Sequence, residues 1–268
     1  MTFPGAAAPR ADAEYTVLGA PLDASTSFQP GTRFGPRRIR TFAEPFEDYD
    51  HHTDRQFTDL SVHDHGDVEP GADTPEYLEY LRGTIADLAA AGTVPLVLGG
   101  EHTVTVAAVR ALDPEIFVCL DAHLDLRASF RGDPFSHATV THHALDVVEE
   151  AIVIGARAGS KAEWERARET DVTVVPPGDV PAWEPDVAGR RAYLSVDVDA
   201  ADPGVAPGTG TREPFGLDSA ELRDVVRAVA PDAVGFDVVE VNDRDDGQAP
   251  ALAGKLLREF VFAHGAVD

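Results

Sequence analysis

The stretch Ile116-Phe117-Val118-Cys119-Leu120-Asp121-Ala122-His123-Leu124-Asp125 joins five consecutive apolar residues to an acid-x-imidazole-x-acid pattern. A short run that is apolar throughout, instead of alternating, reads as a strand buried on both faces. Short apolar, β-branched runs recur at Tyr15 to Gly19, Leu60 to His63, Val94 to Leu98, Ala151 to Gly155, Val172 to Val175, Ala192 to Val196 and Ala233 to Phe236, most of them continuous in the same way. Helical patterns fall between these runs. Thr74-Pro75 reads as an N-cap and first-turn pair opening a helix with Tyr77, Leu78, Leu81, Ile85 and Leu88 on its inner face and Gly92 at its close. Ser160 with Glu163 and Asp218 with Glu221 are capping-box pairs for segments ending near Glu169 and Ala230, and a last helix covers about Ala249 to His264. Strands alternating with helices along the whole chain predict an α/β fold, with a mainly parallel sheet, helices on both faces and function at the carboxyl ends of the strands. No linker composition and no internal repeat interrupts the pattern, so residues 1–268 are read as a single domain.

The residues just past the apolar runs carry the chemistry. Gly99-Gly100-Glu101-His102 follows one run, Asp121-Ala122-His123-Leu124-Asp125 a second, Asp197-Val198-Asp199 a third, and Asp237 with Glu240 a fourth. In extended chain, residues i, i+2 and i+4 point the same way, so Asp121, His123 and Asp125 can converge, as can Asp197 and Asp199. A lone Asp-x-Asp at a strand end is ordinarily a turn or a cap. Two such clusters with His102 beside them are a site. Carboxylates cannot be buried together without cations to neutralise them, and two divalent ions balance the four aspartates. Mostly oxygen ligands with two imidazoles suit Mn²⁺, with Zn²⁺, Ni²⁺ and Co²⁺ as alternatives. A water shared by two such ions becomes a hydroxide at neutral pH, which implies hydrolysis.

Composition excludes several other functions. Among 268 residues there are 22 Lys+Arg against 47 Asp+Glu, a formal charge of −25. Nucleic acid is excluded as a partner, because there is no basic footprint to release counterions. Only Lys161 and Lys255 are lysines. Such a carboxylate-rich surface needs concentrated cations for screening, which predicts a halophilic protein from a salt-loaded cytoplasm. No apolar run approaches the roughly 20 residues that span a bilayer, and Met1 to Arg10 lacks the apolar core of a signal peptide, so a cytoplasmic location with no membrane partner is expected. The one cysteine, Cys119, sits among apolar residues and reads as a buried, inert thiol.

Three of these blocks, Gly99-Gly100-Glu101-His102, Asp121 to Asp125 and Ser195-Val196-Asp197-Val198-Asp199-Ala200-Ala201-Asp202-Pro203, resemble the signatures of the ureohydrolase family, which includes arginase, agmatinase, guanidinobutyrase and formimidoylglutamase. The resemblance extends to Gly19 to Asp23, Pro30 to Pro36, Asp64 to Val68, Ser136-His137-Ala138 and Val239 to Asn242. It implies a three-layer α/β/α fold on an eight-stranded parallel sheet and a site with two Mn²⁺ ions. By resemblance, His102, Asp121, Asp125 and Asp197 hold one ion, and His123 and Asp199 hold the other, with Asp121 and Asp197 bridging. A hydroxide between the ions would attack the guanidinium carbon of a small guanidino substrate. Asp125 would orient it and relay its proton, Glu240 would pair with the guanidinium, and His137 would assist proton transfer. The family also implies a homo-oligomer, a trimer or hexamer.

Within the family, Asp202 to Thr211, Glu213-Pro214 and Ser136-His137-Ala138 look more like agmatinases than arginases, which implies agmatine as substrate and putrescine and urea as products. The chain departs from that pattern at Arg212, where Pro is usual, at Phe215, where Gly is usual, and at Asp243, where Pro is usual. If Arg127 or Arg212 pointed into the pocket, a carboxylate tail such as that of guanidinobutyrate would be favoured. Pairing of both arginines with surface acids would leave agmatine preferred. Arginase or formimidoylglutamase activity in the same site are the other enzymatic readings, and a non-catalytic acidic binding protein is disfavoured by the full set of predicted ligands. His63-x-His65 reads as structural or as support behind the ligands. His51-His52 and His142-His143 are adjacent pairs whose side chains diverge, and Pro30 to Pro36 is expected to shape a pocket rim or a subunit contact.

Overall fold

The computed structural model describes residues 1–267. Its strands are β1 (Tyr15–Ala20), β2 (Tyr49–Asp50), β3 (Arg55–Gln56), β4 (Val62–Asp67), β5 (Val94–Gly99), β6 (Ile116–Leu120), β7 (Glu150–Ile154), β8 (Val172–Val175), β9 (Ala192–Asp197) and β10 (Ala233–Val239). The helices are α1 (Gly35–Ala43), α2 (Thr74–Ala90), α3 (Val104–Leu112), α4 (Val140–Ala144), α5 (Lys161–Arg166), α6 (Ser219–Val229) and α7 (Gln248–His264). Strands β2 and β3 form a small antiparallel ribbon. The other eight make one parallel sheet in the order β4-β1-β5-β10-β9-β6-β7-β8. Each of the eight runs contributes a strand of this sheet, but the run at Leu60 to His63 is displaced: Leu60 ends a 3-10 turn, Ser61 is left-handed, and β4 starts at Val62 and continues to Asp67. The three-layer α/β/α arrangement is as expected.

The inner strands are continuous apolar runs because they feed two cores, whereas the edge strands β4 and β8 are partly exposed. On β6, Ile116, Val118 and Leu120 join the layer built with α1, α6 and α7, through Ile39, Leu222, Val226, Leu257 and Phe260. Phe117 and Cys119 face the opposite layer, with Leu81 and Ile85 of α2, Val106 and Val109 of α3, and Val140 of α4. Every residue of β6 is buried.

Helix boundaries follow local chemistry, with two differences from the sequence pattern. The cap of α2 is Asp73, not Thr74: its carboxylate accepts from Glu76 N at 2.9 Å, and Pro75 occupies the first turn. An ionised oxygen is the better acceptor for free N–H groups at the positive end of the helix. Both capping boxes form. Helix α5 stops at Arg166, short of Glu169, where Arg166 closes on Asp171 through two hydrogen bonds of 2.7 and 2.6 Å just before β8. Near the edge strand β4, buried Arg40 of α1 forks onto Asp64 at 2.8 and 2.9 Å and reaches Asp67, while Phe3 N also donates to Asp64.

The strand order has a direct consequence for function. Strands β9 and β10 come last in the chain but insert between β5 and β6. The ends of β5, β10, β9 and β6 are therefore neighbours at the centre of the sheet, although Gly99 and Val239 are far apart in sequence.

Candidate active site

At those four strand ends the acids and imidazoles converge. His102 Nδ1 lies 3.2 Å from Asp121 Oδ2, 3.1 Å from Asp125 Oδ2 and 3.7 Å from Asp197 Oδ2. His123 Nδ1 lies 3.0 Å from Asp199 Oδ2 and 3.5 Å from Asp121 Oδ1. Asp121 thus faces both imidazoles. The four aspartates and His102 are buried, and His123 is half-buried.

The residues converge by a different route from strand alternation. Strand β6 ends at Leu120, and Asp121 turns the chain by accepting from His123 N at 2.7 Å. Asp125 then adopts a left-handed backbone, φ +50°, which aspartate tolerates better than most residues. Asp197 caps a short turn by accepting from Asp199 N at 2.8 Å, so the second cluster sits on a 3-10 turn instead of an extended segment. Asp199 in turn accepts from Ala122 N at 3.1 Å, joining the ends of β9 and β6.

Glu240 is the other left-handed acid of the site, at φ +61°. Its N–H donates to Gly100 O at 2.8 Å, and its Oε1 accepts from His102 N at 2.9 Å. This interlock requires Gly100, because a Cβ there would meet Leu22 O at 2.0 Å. Strained backbone held by its surroundings is a common mark of functional sites.

The electrostatics express too many buried carboxylates. Burial, then the negative charge of Asp199, Asp121 and Glu240, holds the Asp197 carboxyl well above its ordinary range. Burial and Asp121 push Asp125 up to about 7, and burial with Glu101 and Asp199 pushes Glu240 up to about 8. For His123, burial disfavours the cation, but Asp199 and Asp121 outweigh it and hold the imidazole well above its ordinary value. Burial would likewise raise Asp121, yet hydrogen bonds and charge from His102 and His123 keep it low. A cluster that retains protons on some acids and on both imidazoles lacks positive charge. Two divalent ions would supply it, and the donor set, four carboxylates and two imidazole nitrogens, fits them. Groupings with close ligand atoms include Asp121, His123 and Asp199, and also His102, Asp121 and Cys119.

Several residues near this centre have contacts that the sequence alone does not assign. Cys119 is buried as expected but lies behind His102, with Sγ 3.7 Å from Nε2. His102 Nε2 is 3.2 Å from Ser195 Oγ, which donates to buried Asp237; Thr105 and Tyr193 also donate to that carboxylate. Asp237 is therefore spent on orienting His102 instead of facing the cavity. Glu101 points away from the cluster: its carboxylate accepts from Ala24 N, Ser25 N, Ser25 Oγ and Thr103 Oγ1 and so anchors the loop at residues 24–27. That loop holds His137, with Ser25 Oγ 3.1 Å from Nδ1, Ser27 Oγ 3.3 Å from Nε2, and Phe130 edge-on at 5.7 Å. Burial, with positive charge at His123 and His102, lowers the His137 imidazole to about 4, so it is neutral at pH 7. None of these tertiary partners has a local sequence signal.

A cavity of about 350 Å³ opens onto the cluster, lined at its inner end by His123, Asp125, Asp197, Asp199, His137 and Glu240. Arg127 lies on its wall, with Nε 3.0 Å from Glu163, an acid buried inside the cavity wall instead of on the surface. Arg212 is exposed and donates to Pro207 O at 2.5 Å, and Phe215 is exposed with φ +70°. Pro30 to Pro36 does not line the cavity; Gly31 N donates to Asp23, and Gln29 O accepts from Asn242. His63 contacts Ala8 O and His65 is exposed, both away from the centre.

The model of the arginase family matches residues 13–263. The chain belongs to the arginase family. It is 37% identical to an agmatinase of Bacillus anthracis, covering 94% of this chain and 92% of that protein. It is 36% identical to an N(1)-aminopropylagmatine ureohydrolase of Thermococcus kodakarensis, covering 91% of this chain and 88% of that one. The crystal structure of an agmatine ureohydrolase of Thermoplasma volcanium superimposes with a TM-score of 0.93 at 34% identity, covering 99% of this chain and 94% of the other. As a member of the arginase family with this fold, the chain is a hydrolase of the ureohydrolase class. Among its described residues no helix is long and apolar enough to cross a membrane.

Proposed function

We propose that this ureohydrolase cleaves agmatine to putrescine and urea with two bound Mn²⁺ ions. The observation that carries the reading is the convergence of Asp121, Asp125, Asp197 and Asp199 on His102 and His123 at the floor of a cavity that Glu240 and His137 also line. His102, Asp121, Asp125 and Asp197 would hold one ion, and His123 and Asp199 the other, shared through Asp121 and Asp197. When bound, the ion pair neutralises the four aspartates and brings a water into its hydroxide form near neutral pH. Glu240, locked to the Gly100-Glu101-His102 turn at both its amide and its carboxylate, positions the guanidinium with its carbon toward the aspartates. Asp125 would orient the attacking oxygen and relay its remaining proton to the leaving amine. His137, neutral and pinned by two serine hydroxyls, accepts a proton beside the substrate.

Residues 1–268 work as one catalytic domain in this reading, assembled as a homo-oligomer in a salt-rich cytoplasm, where cations screen the −25 charge. The decisive test is metal analysis combined with urea release from agmatine, arginine and 4-guanidinobutyrate in molar KCl with added Mn²⁺. Agmatine is expected to give the highest kcat/KM. No urea from any guanidino compound would overturn the reading.

A further inference from the structure

The outer wall of the cavity carries three charged side chains, and they differ in how fully each is satisfied. Arg127 is pinned: Nε lies 3.0 Å from Glu163 Oε2, and its guanidinium stacks 5.0 Å from the Phe130 ring centre. The Glu163 side chain is only 6% exposed and also accepts from Ser160 N at 2.8 Å, so the pair is part of the wall's structure. Glu213 is the contrast. Its side chain is 36% exposed, as is that of Arg127, but its charged partner, His123 Nε2, lies at 3.9 Å, beyond hydrogen-bond reach.

The Glu213 main chain is nevertheless held firmly. Arg157 Nη2 donates to Glu213 O at 2.7 Å and to Asp199 O at 2.8 Å, and Arg157 Nε donates to Pro214 O at 3.1 Å. One guanidinium thus ties the loop bearing Glu213 to the strand end bearing Asp199. The Glu213 carboxylate is fixed one imidazole ring and a 3.9 Å gap from the acid cluster. His123 turns Nδ1 to Asp199 at 3.0 Å, so its positive charge is engaged mainly by the cluster, and its Nε2 edge at 3.9 Å offers Glu213 only a long ion pair. The three wall charges sum to −1, all of it on Glu213.

We propose that Glu213 reads the far end of the substrate, selecting a cationic tail such as a primary ammonium, while Glu163 engages Arg127, the arginine that among the described residues lines the cavity and could greet a carboxylate tail. This inference rests on the agmatine reading and adds the device that discriminates agmatine from other guanidino compounds. A charge-assisted hydrogen bond to a substrate ammonium amounts to about tenfold in affinity.

The test compares the Mn²⁺-loaded wild type with Glu213→Gln, Glu213→Lys and Glu163→Gln on agmatine, butylguanidine, which has no charge on its tail, and 4-guanidinobutyrate. For Glu213→Gln the agmatine KM rises about tenfold, and the agmatine-to-butylguanidine ratio of kcat/KM falls by a similar factor, with metal content unchanged. Glu213→Lys moves the preference toward 4-guanidinobutyrate. Glu163→Gln frees Arg127 and does the same by a second route. If agmatine and butylguanidine lose activity by the same factor, Glu213 acts through His123 and the inference is wrong. If wild type hydrolyses agmatine and Glu213→Gln keeps its KM, the inference also fails, alone. A wild type that releases urea from other guanidino compounds but not from agmatine overturns the substrate reading and this inference together.

Discussion

Replacing Asp125 with Asn is expected to stabilise the metal-free protein while removing much of the stabilisation that metal confers. Asp125 is buried, and burial together with the charge of Asp121 moves its carboxyl from 3.8 up to about 7. Such a group binds its proton more tightly folded than unfolded. Its contribution is therefore neutral below the unfolded value and becomes destabilising as pH rises through the window from 3.8 to about 7. At 1.36 kcal/mol per pKa unit, ionised Asp125 costs the metal-free fold about 4 kcal/mol at pH 8, or about 2 if Asp197 and Glu240 take up part of the shared protons. Asn is close in shape and tolerates the left-handed backbone at φ +50°. At roughly 2 °C per kcal/mol for a chain of this size, the metal-free Tm should rise by about 4–8 °C at pH 8. The measurement is calorimetry in chelator at pH 4 and pH 8, repeated with saturating Mn²⁺. The gain should vanish at pH 4, where the wild-type carboxyl is already protonated, and the Mn²⁺-induced shift should be smaller than in wild type. An unchanged or lower metal-free Tm at pH 8, or an equal gain at both pH values, would refute the reasoning.

Three other outcomes are expected. Arg40→Ala strips buried Asp64 of its bidentate partner and should destabilise by about 3–5 kcal/mol in urea titrations, with little effect on metal content. Phe215→Gly should stabilise by about 0.5–1 kcal/mol, since relief of left-handed strain exceeds the added freedom of the unfolded chain and the exposed ring buries nothing. Raising KCl from 0.1 M to 2 M should raise Tm and slow unfolding through screening of the −25 charge, whereas a Tm that is flat or falls with KCl would remove the electrostatic basis for the halophilic reading.

The inner strands were legible because burial on both faces leaves a mark in every residue, as Ile116 to Leu120 illustrates. The capping boxes at Ser160 and Asp218 were legible because a cap and its partner are three residues apart. The acids and imidazoles that converge at the strand ends were legible as residue types at short spacings. What escaped notice was everything that depends on partners distant in sequence. Glu101 had no visible role until the fold brought Ser25 to it, and Arg157 none until Asp199 and Glu213 came within its reach. Arg127 was ambiguous in the sequence because its meaning depends on whether a carboxylate meets it, and Glu163 does.

By itself, the sequence determined an α/β chain with eight strands in a mainly parallel sheet, a set of acids and imidazoles at four strand ends, and a net charge of −25. These are local properties, written in hydrophobic runs, short spacings and composition. Only the tertiary structure decided that the four strand ends are neighbours, because insertion of β9 and β10 between β5 and β6 is a matter of global packing. It also decided how the acids converge, through left-handed turns at Asp125 and Glu240 instead of strand alternation, and that Arg127 meets Glu163. Whether a charge is paired depends on what lies within about 4 Å of it in space, and separation along the chain does not report that distance.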